Sequence, residues 1–94
     1  TAELRRVGFE VERSVKNYRS RRAQALMLQN DAIPNAQRTV TLIETGWRAG
    51  RFDVFRLTAA TRDLMRAQRD HLEAVAVGWA DFIELQRVTG ALQP

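Results

Sequence analysis

The chain has 94 residues, no cysteine, 45% apolar residues and a formal net charge of +4. The lack of cysteine excludes disulfide bonds and thiolate metal sites, and no apolar run approaches the roughly 20 residues that a membrane-spanning helix requires. At this length we expect one domain at most. The opening residues lack the hydrophobic stretch of a signal peptide, so a role outside the cytoplasm would make this chain an internal piece of a longer protein.

The first half of the chain is predicted to be one amphipathic helical arm. From Ala2 to about Asn30, apolar residues recur mostly at steps of three and four, the spacing of one helix face. Pro34 interrupts this arm because proline lacks a backbone donor, clashes with the preceding turn and pushes Ile33 toward extended geometry. Two outcomes are compatible with the sequence. The arm is either kinked near Pro34, or broken there with Asn30 or Asp31 capping a new helix.

A kink is favoured over a break because the apolar stripe resumes in phase after the proline. The residues that carry this phase are spaced seven apart: Leu26, Ile33, Val40 and Trp47.

A helix-breaking corner follows between Trp47 and Asp53. Gly50 can adopt the left-handed backbone that ends a helix without steric cost. Asp53 stands where an N-cap belongs, three residues before Arg56. A second helix should then run from Val54 to about Thr89. The prediction is an all-α fold, a long antiparallel, coiled-coil-like hairpin with its tip at Gly50.

The predicted hairpin divides the chain into four parts. They are a descending arm (1–47), a tip (48–53), an ascending arm (54–90) and a tail (91–94). If the arms pair across the tip, residues in contact have numbers that sum to about 100. Examples are Ile43 with Leu57 and Tyr18 with Phe82. At ~1.5 Å per residue, an ascending helix of about 36 residues is ~54 Å long, which makes the molecule a rod.

The ascending arm carries a second apolar stripe that one partner arm cannot cover. Its candidate packing residues are Met65, Leu72, Val75, Trp79 and Phe82, with Ile83 beside them. Another helix, another subunit or the rest of a longer chain would cover this stripe, because exposed apolar area of this size marks an interface. The alternative is that Trp79 and Phe82 close a local three-helix core.

No set of residues forms a catalytic or metal-binding pattern. His71 is the sole histidine, and its acidic sequence neighbours Asp70 and Glu73 point to other helix faces, whereas a transition-metal site needs three or four ligands. The serines and threonines have no paired base for nucleophilic catalysis. We therefore expect no enzyme activity, no metal and no cofactor.

A cluster of basic residues in the first arm raises the alternative of nucleic-acid binding. Between Arg13 and Arg22 there are five cations and no acid. Steps of three rotate about 60° backwards each time on an α-helix, so four of them, Arg13, Lys16, Arg19 and Arg22, wrap half of the cylinder instead of forming one stripe along a phosphate backbone. A solvated helix surface is the favoured interpretation, and no nucleic-acid partner is predicted.

The corner and second arm resemble the TolC-like outer-membrane efflux family, and more narrowly its heavy-metal, CzcC-type branch. The family pattern is an aromatic residue, two variable positions, a glycine, an apolar residue and a small polar or acidic one. A leucine-rich turn follows, with alanine, arginine, leucine and alanine at fixed spacing. The matching residues are Trp47, Gly50, Phe52, Asp53, Leu57, Ala60, Arg62, Leu64 and Ala67. The resemblance extends over about residues 20 to 90, through Ile33-Pro34 with Ala36 upstream and Leu85 to Gly90 at the end. Trp47 departs from the usual tyrosine.

The resemblance implies that the chain is the second periplasmic hairpin of such a channel. The intact protein would be a homotrimer in the outer membrane of a Gram-negative bacterium, with a helical tunnel that exports metal ions or small toxic compounds. Its partners would be a periplasmic adaptor and an inner-membrane RND-type pump. The docking surface would be the tip, which consists of Arg48, Ala49, Gly50, Arg51, Phe52 and Asp53.

Two other functions remain open at the level of the sequence. One is a soluble helical-bundle scaffolding domain that dimerises through Trp79 and Phe82. The other is a basic coiled-coil module that binds nucleic acid or an anionic surface through the cluster from Arg13 to Arg22.

Overall fold

A computed structural model of the chain describes residues 1–90, and every regular element among them is helical. Helix α1 spans Ala2–Met27, α2 spans Ile33–Arg48 and α3 spans Val54–Gly90, with a π-helical turn, Leu28–Ala32, between α1 and α2. The predicted all-α class is confirmed for this part of the chain. The predicted tail, 91–94, lies outside the described residues.

The molecule is elongated, as the sequence predicts. Its principal extents are 70 × 18 × 16 Å and its radius of gyration is 20.5 Å, whereas a compact domain of this length has a radius of about 12 Å. Helices α1 and α2 both pack along α3. The helices therefore bury one side each and form no thick central core.

The first arm stays helical through the proline. Ile33 has φ −66° and ψ −50°, and its N–H donates to the Leu28 carbonyl five residues earlier. The push of proline toward an extended Ile33 does not prevail. The alternative of a break is wrong, because neither Asn30 nor Asp31 caps a new helix and α2 continues from Ala32 without a side-chain cap. A π turn is wider than an α turn, which gives the Pro34 ring room beside the preceding carbonyl groups.

Small residues line the seam between α3 and the first arm. Ala60, Ala74 and Val88 are buried on α3, while the nearby Leu57 and Leu64 are half-buried. Alanines at a helix–helix seam let the backbones approach closely. The helix backbones therefore lie close together along the seam, and few large side chains are buried between them.

Two side-chain contacts join α1 to α3 at the middle of the seam. The rings of Tyr18 and Phe82 lie 5.8 Å apart between centroids, which confirms the predicted pair. One helical turn further along α1, Nε of Arg21 lies 4.0 Å from Oδ2 of Asp81. The contacts fix which turns of α1 and α3 face each other.

The predicted phase of the first-arm stripe is confirmed only in part. Ile33 and Val40 are half-buried, but Leu26 and Trp47 are exposed. The π turn lies between Leu26 and Ile33, and a turn with extra residues rotates everything after it relative to an unbroken helix. The π turn therefore accounts for the exposure of Leu26. It does not account for Trp47, which follows Ile33 and Val40 on the same helix and lies in the last turn of α2.

Candidate functional site

The backbone of the tip ends α2 in a Schellman motif. The Gly50 N–H donates to the Trp47 carbonyl at 3.0 Å, and the Arg51 N–H donates to the Gly46 carbonyl at 2.7 Å. Gly50 has φ 78°, a left-handed conformation in which a Cβ is strained. The prediction that Gly50 ends the helix is therefore confirmed, and the carbonyl groups of Thr45, Gly46 and Trp47 accept hydrogen bonds within the chain.

A glycine and an aromatic ring lock the tip from inside. Gly46 is buried, and a Cβ placed on it would fall inside the van der Waals radii of ring atoms Cδ2 and Cε2 of Phe52. The guanidinium carbon of Arg56 lies 4.7 Å from the centroid of the same ring, within the range of a cation–π contact. Phe52 thus packs between α2 and the first turn of α3.

Asp53 caps the start of α3, as predicted. Its Oδ1 accepts a hydrogen bond from the Arg56 backbone N–H at 3.0 Å. A carboxylate in this position satisfies a free donor of the first turn and interacts favourably with the positive end of the helix dipole. The chain direction after the tip is therefore set by a local side-chain contact.

The remaining tip residues point away from the turn. Arg48, Ala49 and Arg51 are exposed, and Arg48 Nη2 donates to Oε1 of Glu44 at 2.8 Å. The six predicted docking residues thus fall into two groups. Gly50, Phe52 and Asp53 build the turn, whereas the other three supply an outward surface with two cationic side chains.

The apolar residues predicted to pack against another hairpin mostly face solvent in the single chain. We call Met65, Leu72, Val75, Trp79 and Ile83 the exposed stripe of α3. Met65, Leu72 and Trp79 are 63%, 69% and 63% exposed. Trp79 therefore does not close a local core, and the three-helix alternative does not describe this chain over residues 1–90.

Phe82 differs from the exposed stripe because it belongs partly to the seam. It is half-buried, and besides its contact with Tyr18 its ring lies 5.9 Å from that of Trp79 in an edge-to-face arrangement. The three rings form a continuous aromatic surface from the seam to the solvent.

A shallow groove of about 320 Å³ runs beside these rings between α1 and α3. The side chains at its floor are small, namely Ala25, Ala74 and Gly78, and a Cβ on Gly78 would meet only the Cβ of Arg21 at 3.9 Å. The rim consists of Arg21 and Arg22 from α1. The groove therefore has an apolar floor and a cationic edge.

Asp81 and Arg21 form a contact that the sequence did not single out. The Asp81 side chain is 22% exposed, and its Oδ2, 4.0 Å from the Arg21 guanidinium, accepts no hydrogen bond from the described residues. The predicted pairing of residues whose numbers sum to about 100 could have indicated this contact, because 21 and 81 add to 102. The packing of Phe52 on Gly46 follows the same rule and was likewise not predicted.

Near the end of α3, Glu84 and Arg87 form a local ion pair. Arg87 Nε donates to Oε2 of Glu84 at 3.0 Å, and this hydrogen bond lowers the pKa of Glu84 from its ordinary value. The same bond raises the pKa of Arg87. Both side chains are exposed, so the pair adjusts local charge without holding the arms together.

The described residues offer no obvious centre for metal chemistry. Within residues 1–90, no group of three or more His, Cys, Asp or Glu side chains could hold a metal ion, and His71 is half-buried on α3. In the same range, no helix combines the length and apolarity needed to cross a lipid bilayer.

Comparison with known proteins finds no family model, no curated protein and no solved structure that matches this chain.

Proposed function

We propose that the chain is a non-catalytic wall hairpin of a TolC-like outer-membrane efflux channel, in which the tip docks onto the periplasmic adaptor and pump. The family assignment depends on the residue pattern around the corner and the second arm. The structural support is the shape of the rod, the locked tip and the exposed stripe. Each of these has a defined task in such a wall.

We infer that the arms run antiparallel and form one hairpin. Every inter-arm contact named above joins residues whose numbers sum to about 100, including Tyr18 with Phe82, Arg21 with Asp81, and Gly46 with Phe52. A parallel arrangement would hold the difference between the numbers constant, not the sum. The first arm bends at the π turn before Pro34, where the helix widens.

The observation that carries the proposal is the exposed stripe on α3. A hairpin that worked alone would bury large apolar side chains at its seam and expose few. Here the seam buries small residues such as Ala60 and Ala74, while Leu72 and Trp79 are left in solvent. An exposed apolar surface of this length is typical of an interface, and a tunnel wall needs a neighbour beside every hairpin.

The proposal is tested by photo-crosslinking in cells that express the intact protein from its own gene. A photoreactive amino acid at Arg51 should yield an adduct with a periplasmic adaptor, because Arg51 is exposed at the tip. The matched control is the same amino acid at Gln29, which is exposed in the π turn far from the tip and should give no such adduct. Recovery of the intact protein in the cytoplasmic fraction, or adaptor adducts from both positions, would overturn the proposal.

A scaffolding domain that associates through the same stripe is the second candidate. It is favoured by the one observation that the three rings around Phe82 reach the surface together. This function requires no outward contact at the tip. A crosslink from the Trp79 region without any from Arg51 would therefore assign the chain to scaffolding instead of efflux.

A further inference from the structure

Charge is distributed unevenly around α3. At about 100° per residue, its five acidic residues fall within an arc of about 80°. Those acids are Asp63, Asp70, Glu73, Asp81 and Glu84. On the same helical projection, the exposed stripe occupies an arc centred about 160° away, so the stripe and the acids lie on opposite sides of the helix.

Cations border the exposed stripe on both sides. On the α1 side, Arg22 lies at the rim of the groove next to Trp79. On the other side, Arg69 lies one turn after Met65 and lines the same surface depression. Among the described residues, neither Arg22 nor Arg69 has an ion-pair partner within 4.0 Å.

The facing segment of the first arm is mostly cationic. From Arg13 to Asn30 it contains cations but no acid, and Asp31 is the first carboxylate after it. Among the described residues, Arg21 is the one cation of this segment with an ion-pair partner within 4.0 Å, namely Asp81. The apolar stripe is thus framed by positive charge from two helices. Because charges around an interface select partners of opposite sign, the frame predicts the composition of what covers the stripe.

We propose that the exposed stripe binds an amphipathic helix whose apolar face is flanked by glutamate or aspartate residues. This inference rests on the part of the proposed function in which a further helix covers the stripe. A helix fits because the groove lies between two helices, α1 and α3, that pack side by side. A third helix fills such a groove in a helical bundle. The partner's carboxylates meet Arg22 and Arg69.

A second copy of this chain is a poor match for the same surface. If two exposed stripes met, the arginines of one copy would face the arginines of the other, and the acids of α3 would remain on the outer sides. Like charges placed together at an interface disfavour association. The partner surface is therefore a helix with acidic flanks, and not the same stripe of a second copy.

The test uses the full 94-residue chain with Trp47→Phe, which leaves Trp79 as the sole tryptophan. Two synthetic helical peptides with identical leucine and isoleucine faces serve as probes, one flanked by glutamate and the other by lysine. Binding is followed by the blue shift of Trp79 emission. We expect the glutamate peptide to bind about tenfold more tightly than the lysine peptide at low salt, with the difference shrinking as salt is raised.

Charge reversal at the frame sharpens the test. Arg22→Glu with Arg69→Glu should remove or invert the preference, whereas Arg38→Glu on α2, outside the groove, should leave it intact; circular dichroism checks that each variant stays helical. Equal affinity for the two peptides, an unchanged preference in the double variant, or self-association through Trp79 in sedimentation would overturn the inference. A tip that fails to crosslink would contradict the efflux role but not this charge preference.

Discussion

The tip and the exposed stripe differ in how far the chain satisfies its own groups. At the tip, the Gly50 and Arg51 N–H groups bond to α2 carbonyl groups, Phe52 fills the space that Gly46 leaves open, and Asp53 caps the next helix. Along α3, by contrast, Leu72 and Trp79 contact solvent over most of their surface. The chain packs its own groups at the corner, but it leaves large apolar side chains exposed along one side of α3.

The largest expected change in the free energy of unfolding comes from a substitution that disrupts packing at the tip. Gly46→Ala should destabilise the chain by about 2 kcal/mol, because its methyl group overlaps the Phe52 ring and such overpacking costs 1–3 kcal/mol. The measurement is urea unfolding followed by circular dichroism. Gly8→Ala is the matched control, since a Cβ there meets nothing within 4 Å and alanine favours a helix by about 1 kcal/mol. Stabilisation by both substitutions would contradict the packing of Phe52 on Gly46.

A smaller change in the free energy of unfolding is expected when the N-cap of α3 is removed. Asp53→Ala should lower the free energy of unfolding by about 1 kcal/mol, because the Arg56 N–H loses its acceptor. Asp53→Asn keeps a side-chain oxygen in place and should cost only a few tenths of a kcal/mol. Equal losses in the two variants, measured by the same urea titrations, would argue against a capping role.

The stripe should respond more weakly in the isolated chain. Trp79→Gln is expected to change the free energy of unfolding by less than about 1 kcal/mol, since the side chain is 63% exposed and loses mainly an edge-to-face contact. Phe82→Ala should cost more, because Phe82 also contacts Tyr18 across the seam. If Trp79→Gln proved the more damaging of the two in thermal unfolding, the stripe would be part of the chain's own core.

The smallest effect concerns the charge of Glu84. Its pKa is lowered in the folded chain by the hydrogen bond from Arg87, so the bond stabilises the fold above the unfolded pKa and is lost as the pH falls through the folded pKa. Side-chain carboxyl NMR should place the Glu84 transition below its ordinary value. The transition should return to that value in Arg87→Gln, and an identical midpoint in both chains would exclude the bond in solution.

The sequence allowed the turn and the register to be predicted, because both depend on local rules. A glycine at position 50 and an acid at position 53 have defined roles at helix ends, and counting outward from the tip paired Tyr18 with Phe82. The π turn could not be predicted in this way. The rule for proline assumes an α-helical turn before it, whereas the chain accommodates Pro34 by widening that turn, and Ile33 stays helical.

The candidate surfaces were less accessible to sequence reasoning than the fold. Periodicity indicated that Trp79 lies off the seam, but it could not separate the exposed residues of the stripe from Phe82, which belongs to both surfaces. The six tip residues were predicted as one docking set. Their division into turn-building and outward-facing groups depends on contacts such as that of Phe52 with Gly46, which bring together residues from different helices.

The closed hydrogen bonding of the corner has an evolutionary consequence. Because the carbonyl groups of Gly46 and Trp47 already accept backbone hydrogen bonds, the fold of the corner does not depend on the exposed side chains at positions 48, 49 and 51. The residues at positions 48, 49 and 51 can then be substituted while the turn that carries them keeps its conformation. A change in the chemistry of this surface would therefore require substitutions at these three positions only, and the residues that form the turn would stay the same.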